Sequence, residues 1–564
     1  MNLFKAESRF TPLSVGEIEL SAPTSAAQKE IWASIQIDEN ATLCFNESIV
    51  IKIDGNIEIA RLKNSLQGFI ERHDSFRSCF TPDGRNIIVY RNTECNFEYS
   101  DLSVDPQKFD ELKNRSTLIE FDLVQGPLYH FHLIKISEEH FELIIVAHHL
   151  ICDGWSMAVL VNEISKIYEG LKLEPAHQFV PFSLQFEKES KDADLSYWIN
   201  KLENAPSNID LPLDKVRPAF RTYESERFDY KLDETLVENL QILASKNRLS
   251  FYHILFGAFQ AFIGRLTNST DQVIGISSAL QSNYGAYDLV GHLVQMLPIR
   301  MKIDPSIDII EFSKLVKTEM LNAVDHSRVT FGEIVQNLKI ERDPSHIPLM
   351  NIIFNVDQQY EGQGFEFKAI KAHYDSIPRF FENFEVFINA TTLGKNCVLE
   401  CQFNKNLFYR ETISRWMVEF ENWLIQITRM PNQPIEELNF GLEYLKRATK
   451  LSADTASETS SANIREEDLQ VMLSAWKDIL KNQSISKHSN FFEVGGHSLL
   501  AMDLVHYFKK HYQNLLTVKL VMMNPTPEKL CQAIGPIKKN RSEIQEAKIL
   551  KSEFDLNLAQ KQAW

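Results

Sequence analysis

The sequence predicts a mixed α/β chain that closes with a small all-helical bundle. Three observations carry this reading. From about residue 21 to 445, stretches that alternate in hydropathy interleave with stretches of helical period. Small polar residues then dominate 449–462, the composition of a flexible linker. Beyond it, about 70 residues place apolar side chains only at helical spacing. A chain of 564 residues is too long for one core, so roughly two to four domains are expected.

The elements follow in order. Residues 1–20 are mixed and polar, a tail or a docking strand. Segments 49–54 and 129–136 alternate as half-buried strands do. The apolar run 141–146 has the pattern of a buried strand. Segments 157–171 and 238–249 carry apolar residues at helical spacing. After the linker, assigned to 446–465, Leu469, Met472, Leu473, Trp476 and Ile479 mark one helix of a bundle spanning 466–537. Segment 498–508 gives a second helix, and Thr526-Pro527-Glu528 opens a third with proline at an early helical position.

Composition excludes several classes. A formal charge of −17 argues against nucleic acid or an anionic membrane as the main partner. Seven cysteines, odd in number, lack paired spacing except Cys397 and Cys401. Those two alternate with apolar residues in a predicted strand, so no metal is expected there or elsewhere, and the usage suits a reducing cytoplasm. Residues 1–20 lack the pattern of a signal peptide. No window approaches the roughly 18 apolar residues needed to span a bilayer.

Two strings carry chemistry. Residues 147–156 read Ala-His-His-Leu-Ile-Cys-Asp-Gly-Trp-Ser, directly after the predicted buried strand. Paired imidazoles at a strand end, with Asp153-Gly154 four residues on, suggest a positioned base with a turn behind it, Gly154 supplying backbone freedom. A histidine held in a cleft can take a proton near neutral pH. For a bare His-His pair, two histidines satisfied by local hydrogen bonds would be as good a reading, but the spacing His148-His149-x-x-x-Asp153-Gly154 favours chemistry. The second string is Phe491-Phe-Glu-Val-Gly495-Gly496-His497-Ser498-Leu-Leu500. Two glycines and a serine at a helix start place a hydroxyl where backbone N–H groups and the dipole favour an anion, which suits a serine bearing a phosphodiester. An ordinary serine N-cap is the plain alternative. One short internal repeat, Ala27-Gln28-Lys29-x-x-Trp32 and Ala559-Gln560-Lys561-x-x-Trp564, links the two ends.

These strings resemble nonribosomal peptide synthetases: 21–445 a condensation domain, 466–537 a peptidyl carrier protein. Ser25-Ala-Ala-Gln28-x-x-x-Trp32 is similar to the family's opening motif, and Arg72-His73-Asp-Ser-Phe76-Arg77-Ser-Cys-Phe80 to its second. His148-His149-Leu-Ile-Cys-Asp153-Gly154 resembles the active-site motif. Tyr197-Trp198 and Leu211-Pro212-Leu-Asp214-Lys-Val-Arg217-Pro218 look like the segment joining two lobes. Gly291-His-Leu-Val-Gln-Met-Leu297-Pro298-Ile-Arg300 and Arg342-Asp343-Pro-Ser345-His-Ile-Pro348-Leu349 resemble late motifs.

The resemblance implies two chloramphenicol-acetyltransferase-like lobes, 21–180 and 181–445, set in a V as a pseudo-dimer with a tunnel at their junction. Donor and acceptor carrier proteins would enter from opposite mouths. It implies His149 as the catalytic histidine, orienting or deprotonating the acceptor amine as it attacks the donor thioester, or stabilising the charged tetrahedral intermediate. Asp153 is expected to point away from substrate and fix the motif by an ion pair, Gly154 to set its N–H near the reacting carbonyl, and His148 to be structural. On the carrier side, Ser498 is the implied attachment site of 4′-phosphopantetheine, with Leu499 and Met502 either facing partners or in the core. A phosphopantetheinyl transferase is then an implied partner.

Departures shape the expectations. Gln281 stands near where relatives carry an arginine after the strand 273–278, which leaves the partner of Asp153 open. Gln295-Met296 replaces the usual Asn-Thr and bears on the acceptor side. No adenylation domain separates the two domains, so an adenylation enzyme acting in trans, or an already activated acyl group, is implied. The terminal repeat, within 538–564, looks like the start of a further condensation domain. Order speaks against an epimerase, the paired histidines against a heterocyclisation domain, and the second histidine against a non-catalytic recruitment platform. An ester-forming or acyl-initiating condensation remains open.

Overall fold

The structure, a computed structural model, describes residues 13, 16–338, 340, 343–359, 365, 367–368, 370–441, 465–496, 498–512 and 516–538. They belong to two compact units, Met1–Asp454 and Thr455–Trp564. The linker string and the terminal repeat lie outside the described residues.

Among the described residues, the large unit has fourteen strands. The first seven are β1 (Ile18–Pro23), β2 (Asn46–Asp54), β3 (Ser78–Phe80), β4 (Asn86–Tyr90), β5 (Phe97–Asp101), β6 (Tyr129–Lys135) and β7 (His140–His148). The others are β8 (Ser225–Lys231), β9 (Asp271–Ala279), β10 (Val294–Lys302), β11 (Ile352–Gln359), β12 (Lys371–Ser376), β13 (Val386–Leu393) and β14 (Asn396–Asn404). They form two large sheets, ordered β12-β2-β7-β6-β5 and β10-β9-β11-β13-β14-β8, and a small one ordered β1-β4-β3. Each large sheet is the base of one lobe.

In the first lobe β7 is buried from Phe141 to His148, as its apolar run predicts. β6 departs from expectation: its alternating sequence predicts one wet face, yet Tyr129 to Ile134 are all buried. One face meets Val50, Leu102, Ile144 and Val146 beneath Phe109 and Leu112 of the helix Phe109–Thr117. On the other, Tyr129 stacks on Phe76 at 5.3 Å and meets the tilted ring of Phe131 at 5.1 Å. His130 and His132 tolerate burial because each has hydrogen-bond partners. The predicted helix 157–171 is Gly154–Tyr168, and 238–249 is Glu234–Lys246, begun earlier by Asp233, whose carboxylate accepts from Leu236 N. Of residues 1–20, Ile18 to Leu20 open β1, which pairs with β4.

The second lobe packs its sheet against the helices Phe251–Thr267 and Arg410–Arg429. Phe259, Phe262, Phe354, Phe420 and Trp423 interlock there. Cys397 and Cys401 point into this core from β14. The lobes are not separate in sequence. β12, from the later half of the chain, pairs antiparallel with β2 (Ser376 with Ile49, Lys371 with Asp54) and completes the first sheet.

The small unit has four described helices: Glu466–Leu480, Ser498–His511, Val518–Met523 and Pro527–Ile534. Met472, Trp476, Phe491, Ala501, Leu504, Phe508, Val521 and Leu530 are buried, with Trp476 edge-on to Phe491 at 5.0 Å. Leu473 and Ile479 are only half-buried. Three of the helices are legible in the sequence; Val518–Met523 is not, because six apolar-rich residues carry too little period. Among the described residues no helix is long and apolar enough to cross a membrane.

A buried carboxyl joins the lobes. Glu30, on the helix Ala26–Ile35, accepts from Gly332 N at 3.0 Å and from the Thr330 hydroxyl, at the start of the helix Phe331–Asn337. Burial pushes Glu30 up to about 7. An acid raised on folding keeps its proton in the native state where the unfolded chain has lost it, so stability falls as pH rises from 4.5 towards 7. Glu30→Gln should remove about 2 kcal/mol of that fall, read as a flatter dependence of unfolding midpoint on pH between 5 and 8. An unchanged slope would deny Glu30 this role.

Candidate functional site at the lobe junction

β7 ends at His148, and pairing with β2 sets Asn46 opposite His148 and Glu47 opposite Ala147. The chain then turns, with His149 N donating to Phe45 O at 2.7 Å and Ile151 N to His148 O at 2.9 Å. Gln28 of the opening motif donates to Leu150 O at 2.8 Å, so that motif braces the active-site turn. Arg72 and His73 of the second motif reach the same element from behind, both meeting Glu163 on the helix Gly154–Tyr168.

The two histidines part company. His148 is fully buried, accepts from Leu150 N at 3.2 Å through Nδ1, and packs near Phe45 and Phe121. Burial, with the charge of His149, pushes it down to about 3, so it is neutral. His149 keeps 16% of its side chain exposed. Its Nδ1 lies 3.1 Å from Cys152 O, which can only accept, so Nδ1 bears a proton. Its Nε2 lies 3.3 Å from Glu47 Oε2. Burial alone would lower His149, but the hydrogen bond and charge of Glu47 outweigh it and hold the imidazole above its ordinary value. Burial would raise Glu47, and His149 with Arg379 hold it below instead. From the second lobe, His292 sets its ring edge-on at 5.6 Å and is pushed down to about 3 by burial and by the charge of His149.

Asp153 is buried, and its described partners are neutral groups where an ion pair was expected. Its Oδ1 accepts from Ser156 N at 2.8 Å and Ser156 Oγ at 2.7 Å, capping the helix Gly154–Tyr168. Its Oδ2 accepts from Gln281 Nε2 and Leu293 N, both at 3.0 Å. These donors are neutral, because Gln281 stands where a cation was expected. The same Ser156 oxygen accepts from Gly291 N at 3.0 Å, and its one proton, directed at Asp153 Oδ1, is shared with Gly291 O, also at 3.0 Å. A Cβ at Gly291 would lie 2.0 Å from the Phe179 ring, so only glycine lets the lobes close here. Gly154 also corrects the sequence reading: it is not a strained turn residue but the first residue of the helix. A Cβ there would meet nothing within 4 Å, and its N–H belongs to the first turn of the helix, the positive end.

In the small unit, Ser498 is the first residue of the helix Ser498–His511. The approach is tight: Gly495 has φ +97°, and a Cβ at Gly496 would lie 2.4 Å from Phe491. This places residue 498 at a helix N-terminus, where a phosphodiester is favoured, so the location fits the implied group. Met502 is half-buried beside the buried Ala501 and Leu504; the side chains of Ser498 and Leu499 lie outside the described residues.

A His-x-x-x-Asp-Gly turn braced between two α/β lobes, followed later in the chain by a small helical unit, defines a two-lobed transferase fold with a carrier. The chain belongs to the condensation-domain family, which matches residues 18–447, and the phosphopantetheine attachment site family matches 470–534. This is the condensation–carrier order of nonribosomal peptide synthetases. In the carrier family the group is borne covalently on a serine. Bacitracin synthase 2 of Bacillus licheniformis is 26% identical over 74% of this chain, which spans 16% of that protein. Surfactin synthase subunit 1 of Bacillus subtilis (strain 168) is 26% identical over 77% of the chain, which spans 12% of it. Among solved structures, the condensation domain of the Monacolin K polyketide synthase MokA aligns with a TM-score of 0.69 at 18% identity, over 74% of this chain and all of that one. A four-domain nonribosomal peptide synthetase bound to AMP and glycine aligns at 0.68 and 18% identity, over 86% of this chain and 38% of that one.

Glu47 and His292 escape sequence reading, because only strand pairing and lobe closure bring them to His149. The geometry of Asp153 makes a test. Asp153→Ala removes a helix cap and strands the Gln281 amide and Leu293 N–H, and should cost about 2–4 kcal/mol in denaturant unfolding. Gln281→Leu, which leaves the other three donors in place, should cost less than half as much. Equal losses would mean that Asp153 acts through Gln281 alone.

Proposed function

We propose that this chain transfers an acyl or peptidyl group from a carrier-bound thioester to the amine of an acceptor, forming an amide, with His149 as the catalytic residue. The observation that supports this most is the His149–Glu47 contact, 3.3 Å at the lobe junction, with each group shifted towards its charged form. Both nitrogens face acceptors, so the arrangement favours the imidazolium form of His149 over the free base. It therefore stabilises the negative charge that develops on the carbonyl oxygen as the amine attacks, with the Gly154 N–H as second donor. The proton lost by the amine ends on the departing thiol sulfur, and His149 is the group placed to relay it. Asp153 and His148 position the turn and do not touch substrate. Ser498 carries 4′-phosphopantetheine, which supplies a thiol for holding the acyl group as a thioester. A phosphopantetheinyl transferase attaches it, and an adenylation enzyme in trans provides the activated acyl group. The named relatives belong to the bacitracin and surfactin synthases, which supports work with donor and acceptor carrier proteins in a larger assembly.

Single-turnover assays with loaded carriers test the mechanism. His149→Ala should lower the rate by at least about 100-fold. Glu47→Gln removes what holds the imidazolium together, so burial prevails and His149 loses its proton at lower pH. The alkaline limb of the rate profile should shift down and the rate at pH 8 should fall. A rate that instead rises near pH 6 would make His149 a simple base, and no change would remove Glu47 from the mechanism.

Incubation with a phosphopantetheinyl transferase and coenzyme A should add one phosphopantetheine in intact-mass spectra, and none to Ser498→Ala. An addition that survives this substitution would place the attachment elsewhere.

A further inference from the structure

Strand β6 bears His130 and His132 on one face, the face that also carries Val146 and His148 of β7. Both are nearly buried, with side chains 8% and 2% exposed. Glu98 sits opposite His132 in the parallel pairing of β6 with the edge strand β5, and its side chain is 47% exposed. The three converge. Glu98 Oε2 is 3.5 Å from His130 Nε2, Oε1 is 4.0 Å from His132 Nε2, and one ligand atom from each residue lies within 4.8 Å of the others.

Both imidazoles are oriented from behind. Ser116 gives its hydroxyl proton to Leu112 O at 2.9 Å, so its oxygen accepts from His132 Nδ1 at 3.1 Å. The Asn96 amide donates to Tyr129 O at 2.9 Å, which turns its Oδ1 towards His130 Nδ1 at 3.3 Å. Each Nδ1 therefore faces an acceptor, which leaves both Nε2 atoms directed towards the Glu98 carboxylate, with the Ser100 hydroxyl also 2.8 Å from His132 Nε2. Two imidazole nitrogens and a carboxylate converge at distances that a single cation can bridge. A proton on His130 satisfies one contact; a divalent ion satisfies all three.

We propose that His130, His132 and Glu98 bind a divalent transition-metal ion of the zinc class. Two imidazoles and one carboxylate suit that ion, and adjacent ligands of a tetrahedral zinc lie about 3.4 Å apart, within a short shift of the exposed Glu98 side chain. Acceptors behind each Nδ1 are the arrangement that fixes metal-bound histidines. Exposure at Glu98 gives an entry path and a fourth position for water. The ion would fasten the edge strand β5 to β6. Two groups compete with it: the Ser100 hydroxyl, 2.8 Å from His132 Nε2, and the exposed Arg115, whose charge acts on both Glu98 and His132. Cysteine spacing gives no sign of this site, since no cysteine takes part.

The full chain, stripped with a chelator, is titrated with Zn²⁺ against a chromophoric chelator and with Co²⁺ by visible absorption. One equivalent should bind, with the intense bands of tetrahedral Co²⁺, and Zn²⁺ should raise the unfolding midpoint. Glu98→Gln and His130→Gln should each weaken binding by at least about tenfold and abolish the bands. Arg115→Gln should tighten it. Circular dichroism checks that the variants fold, and the exposed Glu98 is the safer substitution. No bound equivalent, or affinity unchanged in both ligand variants, would overturn the site and leave a His130–Glu98 ion pair in its place.

Discussion

The placement of the Asp153 carboxylate is the constraint on which the lobe junction depends. Its two oxygens face two different parts of the fold. Oδ1 caps the helix that follows the active-site turn, and Oδ2 takes hydrogen bonds from Gln281 and Leu293 of the second lobe. One side chain thus starts a helix and closes an interface. Its neighbours are fitted to that closure: Gly291 lies against Phe179 with no room for a Cβ, and Ser156 bridges to both backbone groups of Gly291. His149 sits on the turn so held, four residues before Asp153, and has little freedom to swing.

That rigidity gives the charges their effect. An ion pair at the surface is worth little, whereas one held at a partly dry junction is screened far less. The pair His149–Glu47 is flanked by His148 and His292, both kept neutral by burial. Of the four groups, only the two in contact are shifted towards their charged forms. The imidazole of His149 is therefore set against a carboxylate that opposes loss of its proton. The division of labour between two adjacent histidines is a matter of environment, since their intrinsic chemistry is the same.

The sequence carries the architecture where pattern is local. The buried run of β7, the helix after Asp153, the strand at Cys397 and three carrier helices all follow from period and caps. Reading fails where burial is two-sided or partners are distant. β6 looks half-exposed because His130 and His132 alternate with Phe131 and Leu133, yet hydrogen bonds make those histidines fit for burial. Glu47 lies about 100 positions from His149, and nothing short of the β2–β7 register brings them together. Gly154 looks like a turn glycine and is a helix start, because a capping Asp153 and a turn-forming Asp-Gly share one spelling. The resemblance to condensation domains supplied His149 and the two lobes, which local pattern alone would not have joined.

Gln281 shows how one departure can propagate. An arginine there would neutralise Asp153 and cancel its field at the turn. A glutamine makes the same kind of hydrogen bond, at 3.0 Å, and leaves the negative charge in place. That charge reaches His149, where it acts in the same direction as Glu47 and favours the imidazolium. Closure of the lobes and the field at His149 thus meet in a single carboxylate, whose charge adds to the larger effect of Glu47. Neutral donors are enough to hold the lobes together here.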